Sequence, residues 1–389
     1  MVEEIEQSLN EGDGLRPSDG PAGETALRDT GAGTQAEARQ GGPPPAFLKR
    51  AAPVVGDAEE SPVGPDLPPA PSTLAELGLS KAFLSDLTLK MIHYAGTQSA
   101  SQLAQRMGLG RPIVEQILTA LSDERLLEVL SRSDLYTGNY RYRLSEKGGR
   151  QAAEALERTR YAGPAPVTAE QYTEVIGRMG GWQAPSRVFI KEILNKLVLS
   201  EPVADTVARA LHSGKSALLY GPSGNGKTSI LERFAHNLGG LTIVPYAIYA
   251  HGQVIRIFDQ SIHKPPQKAD SGSTADSEQP MDGRWVLIRR PAIVLGAEIG
   301  PEALDLSFDP KSNFYQAPPH IKAQGGVLFV DDFGRQKIDA RDLLTRWLIS
   351  LERGWDSLSL VTGERVTVPF KAQFLLATNL NVAELADDS

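Results

Sequence analysis

One stretch constrains this 389-residue chain more than any other: residues 216–236 read SALLYGPSGNGKTSILERFAH. A short apolar run, Ser216 to Tyr220, reads as a buried strand, and the segment from Thr228 onward reads as a helix. The loop between them fits G-x-x-x-x-G-K-[ST] at Gly221, Gly226, Lys227 and Thr228. Strand, glycine-rich loop and helix in this order form a phosphate cradle, so the chain must build an α/β layer around it. Each residue type has its own reason. Glycine at 221, 224 and 226 lets backbone N–H groups turn toward an anion without side-chain clashes. The helix start adds the positive end of its dipole. The Lys227 ammonium puts a point charge between β- and γ-phosphates, and the Thr228 hydroxyl offers a ligand to Mg2+. The expected binding loop is Gly221, Pro222, Ser223, Gly224, Asn225, Gly226, Lys227, Thr228 and Ser229.

Two later strand ends belong with it. In GGVLFVDDFGR, Val327 to Val330 are four apolar residues in a row, as suits a central parallel strand. The run ends in Asp331-Asp332, at the edge where open α/β sheets bind ligands. Asp331 is expected to hold Mg2+ through water, and Asp332 to act as general base toward an attacking water. In QFLLATNLN a second apolar run, Phe374 to Ala377, ends in Thr378-Asn379. Between these strands the spacing predicts an amphipathic helix (Leu343, Leu344, Trp347, Leu348, Leu351) and a hairpin turning at Thr362-Gly363.

Phosphate loop, acidic strand end, then ATN after another strand: this order resembles the AAA+ ATPase superfamily. The segment EPVADTVARALHSGKSALLYGPSGNGKT is similar to its MoxR-like branch, and the helix and hairpin resemble the pre-sensor-1 hairpin of the clade that also holds enhancer-binding ATPases. The resemblance covers about 185–389. It implies a P-loop NTPase fold, a parallel sheet with flanking helices, and Mg2+-dependent hydrolysis of ATP. Lys227, Asp332 and Asn379 would be catalytic, with Asn379 as the sensor-1 residue that orients the lytic water. It further implies a homo-oligomeric ring that remodels a macromolecular partner, with an arginine donated to the neighbour's nucleotide. Arg346, Arg353 and Arg335 are the candidates by position.

Two departures stand out. The acidic pair is Asp-Asp where the family has Asp-Glu, one methylene shorter. The sequence also ends ten residues after Asn379, before any helical lid with its sensor-2 arginine. A truncated reading of a longer protein, or contacts supplied by a partner, would account for the missing lid. These departures keep open an alternative, an ATP-binding, DNA-associated regulatory switch with little or no hydrolysis. The ATN and the hairpin disfavour a third reading, a small-molecule P-loop kinase.

Residues 75–162 read as a smaller α+β unit. Phe83, Leu84, Leu87, Leu89 and Ile92 share one side of a helix that Gly96 would stop. A short helix follows with Leu103, Ala104 and Met107 inward, ending at Gly108. A third helix has Pro112 in its first turn and Ile113, Val114, Ile117, Leu118 and Leu121 as its stripe. A hairpin around Thr137-Gly138-Asn139 and a closing helix complete the unit. The order resembles a winged helix-turn-helix, which implies contact with DNA or, as a docking module, with protein. The third helix offers Arg111 and Arg125 but also Glu115, Asp123 and Glu124, whereas the wing side carries Arg132, Arg141, Arg143, Lys147 and Arg150. Both partners stay open on this charge pattern. Pro164 and Pro166 mark a linker over 163–184.

Residues 1–74 hold 13 acidic and 5 basic residues with 10 Gly and 11 Pro, too little apolar surface to offset ordering, so a disordered acidic tail is expected. The remainder is neutral overall, which favours neither nucleic acid nor membrane. The chain has no cysteine, which excludes disulfides, thiolate metal sites and thiol catalysis. His251, His263 and His320 have no ligand partners at local spacing and read as ordinary histidines, with His263 and Lys264 solvated on a polar loop. No apolar run approaches the ~20 residues that span a bilayer, and the acidic N-terminus is unlike a signal peptide. A cytoplasmic protein is expected.

Overall fold

The structure, a computed structural model, describes residues 66–130, 140–179, 184–266 and 280–380. The tail up to residue 65, the wing turn Thr137-Gly138-Asn139 with Arg132, and residues 267–279 of the polar loop lie outside the described residues.

Helix α1 (Lys81–Ala95) starts where the Ser80 hydroxyl accepts from Phe83 N–H and stops at Gly96 with φ +71°. Strand β1 (Gln98–Ser99) leads into α2 (Ala100–Met107) through a capping box of Ser99 and Gln102. Helix α3 (Arg111–Asp123), strands β2 (Leu127–Leu130) and β3 (Arg141–Leu144), and α4 (Glu146–Arg158) complete the expected order. β1 pairs with β3, giving a sheet β1–β3–β2. The three apolar helical stripes meet in one buried cluster that includes Leu87, Leu103, Met107, Val114 and Leu118.

The segment expected as a linker is structured. It carries β4 (Val167–Thr168) and α5 (Ala169–Arg178), begun by a second capping box, Thr168 with Gln171. Tyr172 and Ile176 of α5 are buried in the large central core. Residues 66–74, expected in the disordered tail, are also placed: Ala70 N–H donates to Pro280 O and Asp282 N–H to Pro68 O, at 3.0 and 2.9 Å.

Helices α6 (Arg187–Leu194) and α7 (Glu201–His212) precede β5 (Ala217–Tyr220) and α8 (Lys227–His236). Then come β6 (Leu241–Pro245), β7 (Ala247–Ala250), β8 (Gln253–Arg256), β9 (Trp285–Arg289) and β10 (Ala292–Leu295). The chain continues through β11 (Ser307–Asp309), β12 (Phe314–Gln316), α9 (Pro319–Lys322) and β13 (Val327–Val330). It closes with α10 (Ala340–Arg353), the hairpin β14 (Trp355–Ser359) and β15 (Arg365–Pro369), and β16 (Gln373–Thr378).

A four-stranded, all-parallel sheet runs β10–β13–β16–β5. Its two faces bury alternate residues. Val327, Phe329, Leu375 and Ala377 face the cluster under α6, α7 and α8, whereas Leu328, Val330 and Phe374 join the core on the other face. The mixed α/β class with a parallel sheet is as expected. β5 differs from expectation: it is the sheet's edge, only half-buried, and Tyr220 at its end is 66% exposed. Leu348, expected inward on α10, is also exposed, while Leu343 and Trp347 are buried.

A five-stranded mixed sheet, β11–β12–β8–β7–β4, joins the two halves of the chain. β4 from the expected linker pairs with β7, and Ala247 and Val254 of this sheet belong to the same cluster as the apolar stripes of α1, α2 and α3. The first unit therefore shares its core with the strands that follow the phosphate loop. Among the described residues, no helix is long and apolar enough to cross a membrane.

Candidate functional site

The phosphate loop lies between the end of β5 and the start of α8. Gly221, Gly224 and Gly226 have φ of +140°, +88° and +74°, conformations open to glycine, and no atom lies within 4 Å of where a Cβ would stand at any of them. Backbone direction, not crowding, requires glycine there. Residues Pro222 to Gly226 and Ser229 are exposed, and Lys227 and Thr228 half-buried.

Strand order brings the three strand ends together. Because β16 lies between β5 and β13, Asn379 falls between the loop lysine and the acidic pair. Lys227 Nζ donates to Gly221 O at 2.7 Å, Pro222 O at 2.8 Å and Asn379 Oδ1 at 2.7 Å. Asn379 Nδ2 donates to Asp332 Oδ1 at 3.3 Å. The ammonium only donates and the carboxylate only accepts, so this orientation of the amide satisfies both. Thr228 Oγ1 donates to Asp331 Oδ1 at 2.8 Å. The hydroxyl and carboxylate oxygens of this pair are the hard donors that suit Mg2+, and the lysine with the open loop suits phosphate.

Asp332 is one of four non-glycine residues with positive φ among the described residues, at +46°. That conformation costs an L-residue about 1–2 kcal/mol. Part of what holds it comes from β16: Phe333 N–H donates to Ala377 O and Thr378 Oγ1 donates to Phe333 O, both at 2.7 Å. Thr378 is thus a structural brace at the site, a role that its place in the ATN triplet does not disclose.

Of the arginines, Arg346 is already engaged. Both of its terminal nitrogens donate to Asp356, whose side chain is 1% exposed and also accepts from Ser350 and His320. Burial pushes the Asp356 carboxyl up, but the hydrogen bonds from His320 and Arg346 hold it well below the usual range. Burial pushes His320 down despite the same carboxylate. Arg335 and Arg353 are exposed.

Of the histidines, His263 departs from expectation. His263 is 1% exposed, not solvated; its Nδ1 accepts from Asp259 N–H at 3.0 Å and its Nε2 donates to Lys322 O at 2.9 Å. Burial lowers its pKa. His320 finds a carboxylate 36 positions away, at 2.7 Å, and its buried Nδ1 has no partner. His251 pairs with Glu364 at 3.2 Å. Among the described residues, no three His, Cys, Asp or Glu side chains group as metal ligands.

In the first unit, Arg111 of α3 pairs with Glu115 at 2.7 Å, and Arg143 of β3 with Glu128 at 2.7 Å. The α2–α3 turn is packed rather than free. A Cβ on Gly108 would meet Gly283 O at 2.3 Å, so the two backbones touch there. A base-reading helix enters the major groove by its N-terminal end, and the turn leading into α3 is braced by residues 283–284.

No protein-family model matches this sequence, and no curated protein matches it. Among solved structures, the chain is similar to NtrX from Brucella abortus, with 13% identity and a TM-score of 0.29 over 52% of this chain. It spans 35% of that chain. It is also similar to BpsR from Bordetella bronchiseptica, whose DNA binding 6-hydroxynicotinic acid regulates, with 20% identity and a TM-score of 0.19 over 30% of this chain and 78% of that one. At these TM-scores neither likeness carries an argument about function.

Proposed function

We propose that this chain binds Mg·ATP on the 221–229 loop and hydrolyses it, as an ATPase of the AAA+ type with a P-loop NTPase core. The observation that carries the reading is the convergence of Lys227, Thr228, Asp331, Asp332 and Asn379 at one end of one parallel sheet, within direct hydrogen-bonding reach of each other. In the mechanism, Lys227 exchanges the carbonyls of Gly221 and Pro222 for phosphate oxygens. Thr228 and Asp331 would hold the Mg2+, which would supply positive charge to neutralise the phosphates. Asn379, already against Asp332, orients the attacking water, and Asp332 accepts its proton. The shorter aspartate still comes within 3.3 Å of the Asn379 amide.

The reading extends to a homo-oligomeric ring that remodels a macromolecular partner. Since Arg346 is committed to Asp356, the arginine offered to a neighbour is Arg353 or Arg335. The charge-paired α3 and its braced turn favour a docking role for the winged helix over base reading.

Equilibrium titration with ATP tests the first step. Binding that tightens with Mg2+ in the wild type, and loses that dependence in Asp331→Ala, supports the reading; no binding with or without Mg2+ refutes it. Binding without phosphate release supports the switch instead.

A further inference from the structure

Four residues beyond Asp332, the side chain of Gln336 spans the turn that presents the acidic pair. Its Nε2 donates to Asp331 O at 2.9 Å and to Asp332 O at 3.2 Å. Its Oε1 accepts from Gly334 N–H at 2.7 Å. One amide thus ties down the backbone of three of the four residues from 331 to 334, and Asp332 O also accepts from Arg335 N–H at 3.0 Å. On the other flank, Thr378 and Ala377 hold Phe333, which is 1% exposed. Between these two clamps sits Asp332 in its left-handed conformation, with Oδ1 beside Asn379 Nδ2.

The logic is mechanical. A left-handed aspartate is driven to relax when its backbone is released, because the broad β and right-handed regions lie about 1–2 kcal/mol lower. The side chain leaves its base along with the backbone. Thr378 holds the far side of the turn but makes no bond to Asp331 or Asp332. The two carbonyls of the acidic pair are held by Gln336. None of the hydrogen bonds of Gln336 reaches residues 221–229 directly; its links to that loop run through Asp331, which accepts from Thr228, and through Asp332 and Asn379.

We propose that Gln336 is a positioning residue for hydrolysis: its amide keeps the Asp331–Gly334 turn in the conformation that aims the Asp332 carboxylate at Asn379. The proposal rests on the ATPase reading above. Gln336 touches neither nucleotide nor water; it acts through Asp332.

The test compares full-length wild type, Gln336→Ala, Gln336→Glu, Asp332→Asn and the double variant Gln336→Ala/Asp332→Asn. Gln336→Glu keeps an acceptor for Gly334 N–H but cannot donate to the two carbonyls. Three quantities are read: kcat and KM for phosphate release, the Kd for a fluorescent ADP, and hydrogen exchange of 331–336 in ligand-free protein. A misplaced general base predicts a loss in kcat of about 10- to 100-fold. Both Gln336 variants should show it, with KM and the ADP Kd within about twofold of wild type, and the double variant should be no slower than Asp332→Asn. Exchange at Gly334 and Arg335 should rise in Gln336→Ala. A kcat within about twofold of wild type, or losses that multiply in the double variant, overturns the proposal and leaves the ATPase reading intact. So does unchanged exchange, whatever the kinetics. Wild type that binds ADP but releases no phosphate, with exchange still rising in Gln336→Ala, shows that the ATPase reading failed, and the hydrolytic role of Gln336 fails with it.

Discussion

Arg284 offers a test of whether the unit of α1 to α4 and the rest of the described chain hold together as one folded body. Its guanidinium is buried, with 4% of the side chain exposed, against Asp282, with 3%. Arg284 Nε donates to both Asp282 oxygens at 3.1 and 3.0 Å, and Nη2 to Oδ2 at 2.7 Å. Nη1 reaches Gln171 Oε1 at 3.2 Å, and Gln171 Nε2 donates in turn to Glu76 O at 2.6 Å. Residues from the N-terminal segment, from α5 and from the start of β9 are therefore tied through one ion pair. Truncating Arg284 to Met leaves Asp282 ionised, buried and without its partner, which costs about 3–5 kcal/mol. Against a total of about 5–15 kcal/mol, that is a large share. Replacing both residues, Asp282→Asn with Arg284→Met, removes the stranded charge, so the double variant should be more stable than Arg284→Met alone. Urea unfolding followed by far-UV circular dichroism and by tryptophan fluorescence reads this directly, because Trp285 stacks on Tyr172 next to the pair, with ring centroids 6.2 Å apart. Wild type should unfold in one transition with coincident probes. A loss under about 1 kcal/mol in Arg284→Met, a double variant no more stable than the single, or two separated transitions would refute the reasoning.

Lys90 is 1% exposed, and burial pulls its pKa down to about 8 while its Nζ donates to Thr159 O. Between pH 8 and about 10.5 the unfolded chain holds a proton that the folded chain lacks, so stability should rise with pH there. Lys90→Met should gain about 1–3 kcal/mol at pH 7 and flatten that rise; a destabilised variant contradicts this. His263 and His320 are both pushed down by burial, so below the ordinary value of 6.5 the unfolded chain takes up protons that the folded one refuses. Unfolding free energy should fall on acidification from pH 6.5 toward 5, by up to about 1.4 kcal/mol per pH unit for each histidine, and a flat profile refutes it. Arg346→Ala should lose about 1.5–3 kcal/mol of stability by removing charge-assisted hydrogen bonds from Asp356, which keeps those of Ser350 and His320, whereas Arg353→Ala and Arg335→Ala should change stability by less than about 0.5 kcal/mol. Thermal melts of all three variants check the contrast.

The parts of the site that were legible in the sequence are those written locally. A phosphate loop is one contiguous string, and Asp331-Asp332 and Asn379 announce themselves because four-residue apolar runs precede them. What their positions could not tell is the order of the strands, and it is β16 lying between β5 and β13 that puts Asn379 against both Lys227 and Asp332. The same long-range blindness hid β5 as an edge strand. β1 and β4 span two residues each, too short for a period to register. α5 was hidden because Pro164 and Pro166 suggest a boundary, although Thr168 and Gln171 have the capping-box spacing that could have found it. Pairs such as His320 with Asp356 and Arg284 with Gln171 lie 36 and 113 positions apart. No local pattern encodes them. Gln336 escaped notice for another reason, since a lone glutamine in a turn has no signature until its three backbone partners are seen.

The most direct test of the central claim is phosphate release from ATP by the full chain with Mg2+, beside Lys227→Ala and across protein concentration. The account predicts Mg2+-dependent turnover that rises with concentration as subunits meet and that falls to background in Lys227→Ala, which removes the ammonium held at the loop carbonyls. Turnover that survives in Lys227→Ala, or wild type that releases no phosphate at any concentration, would contradict it.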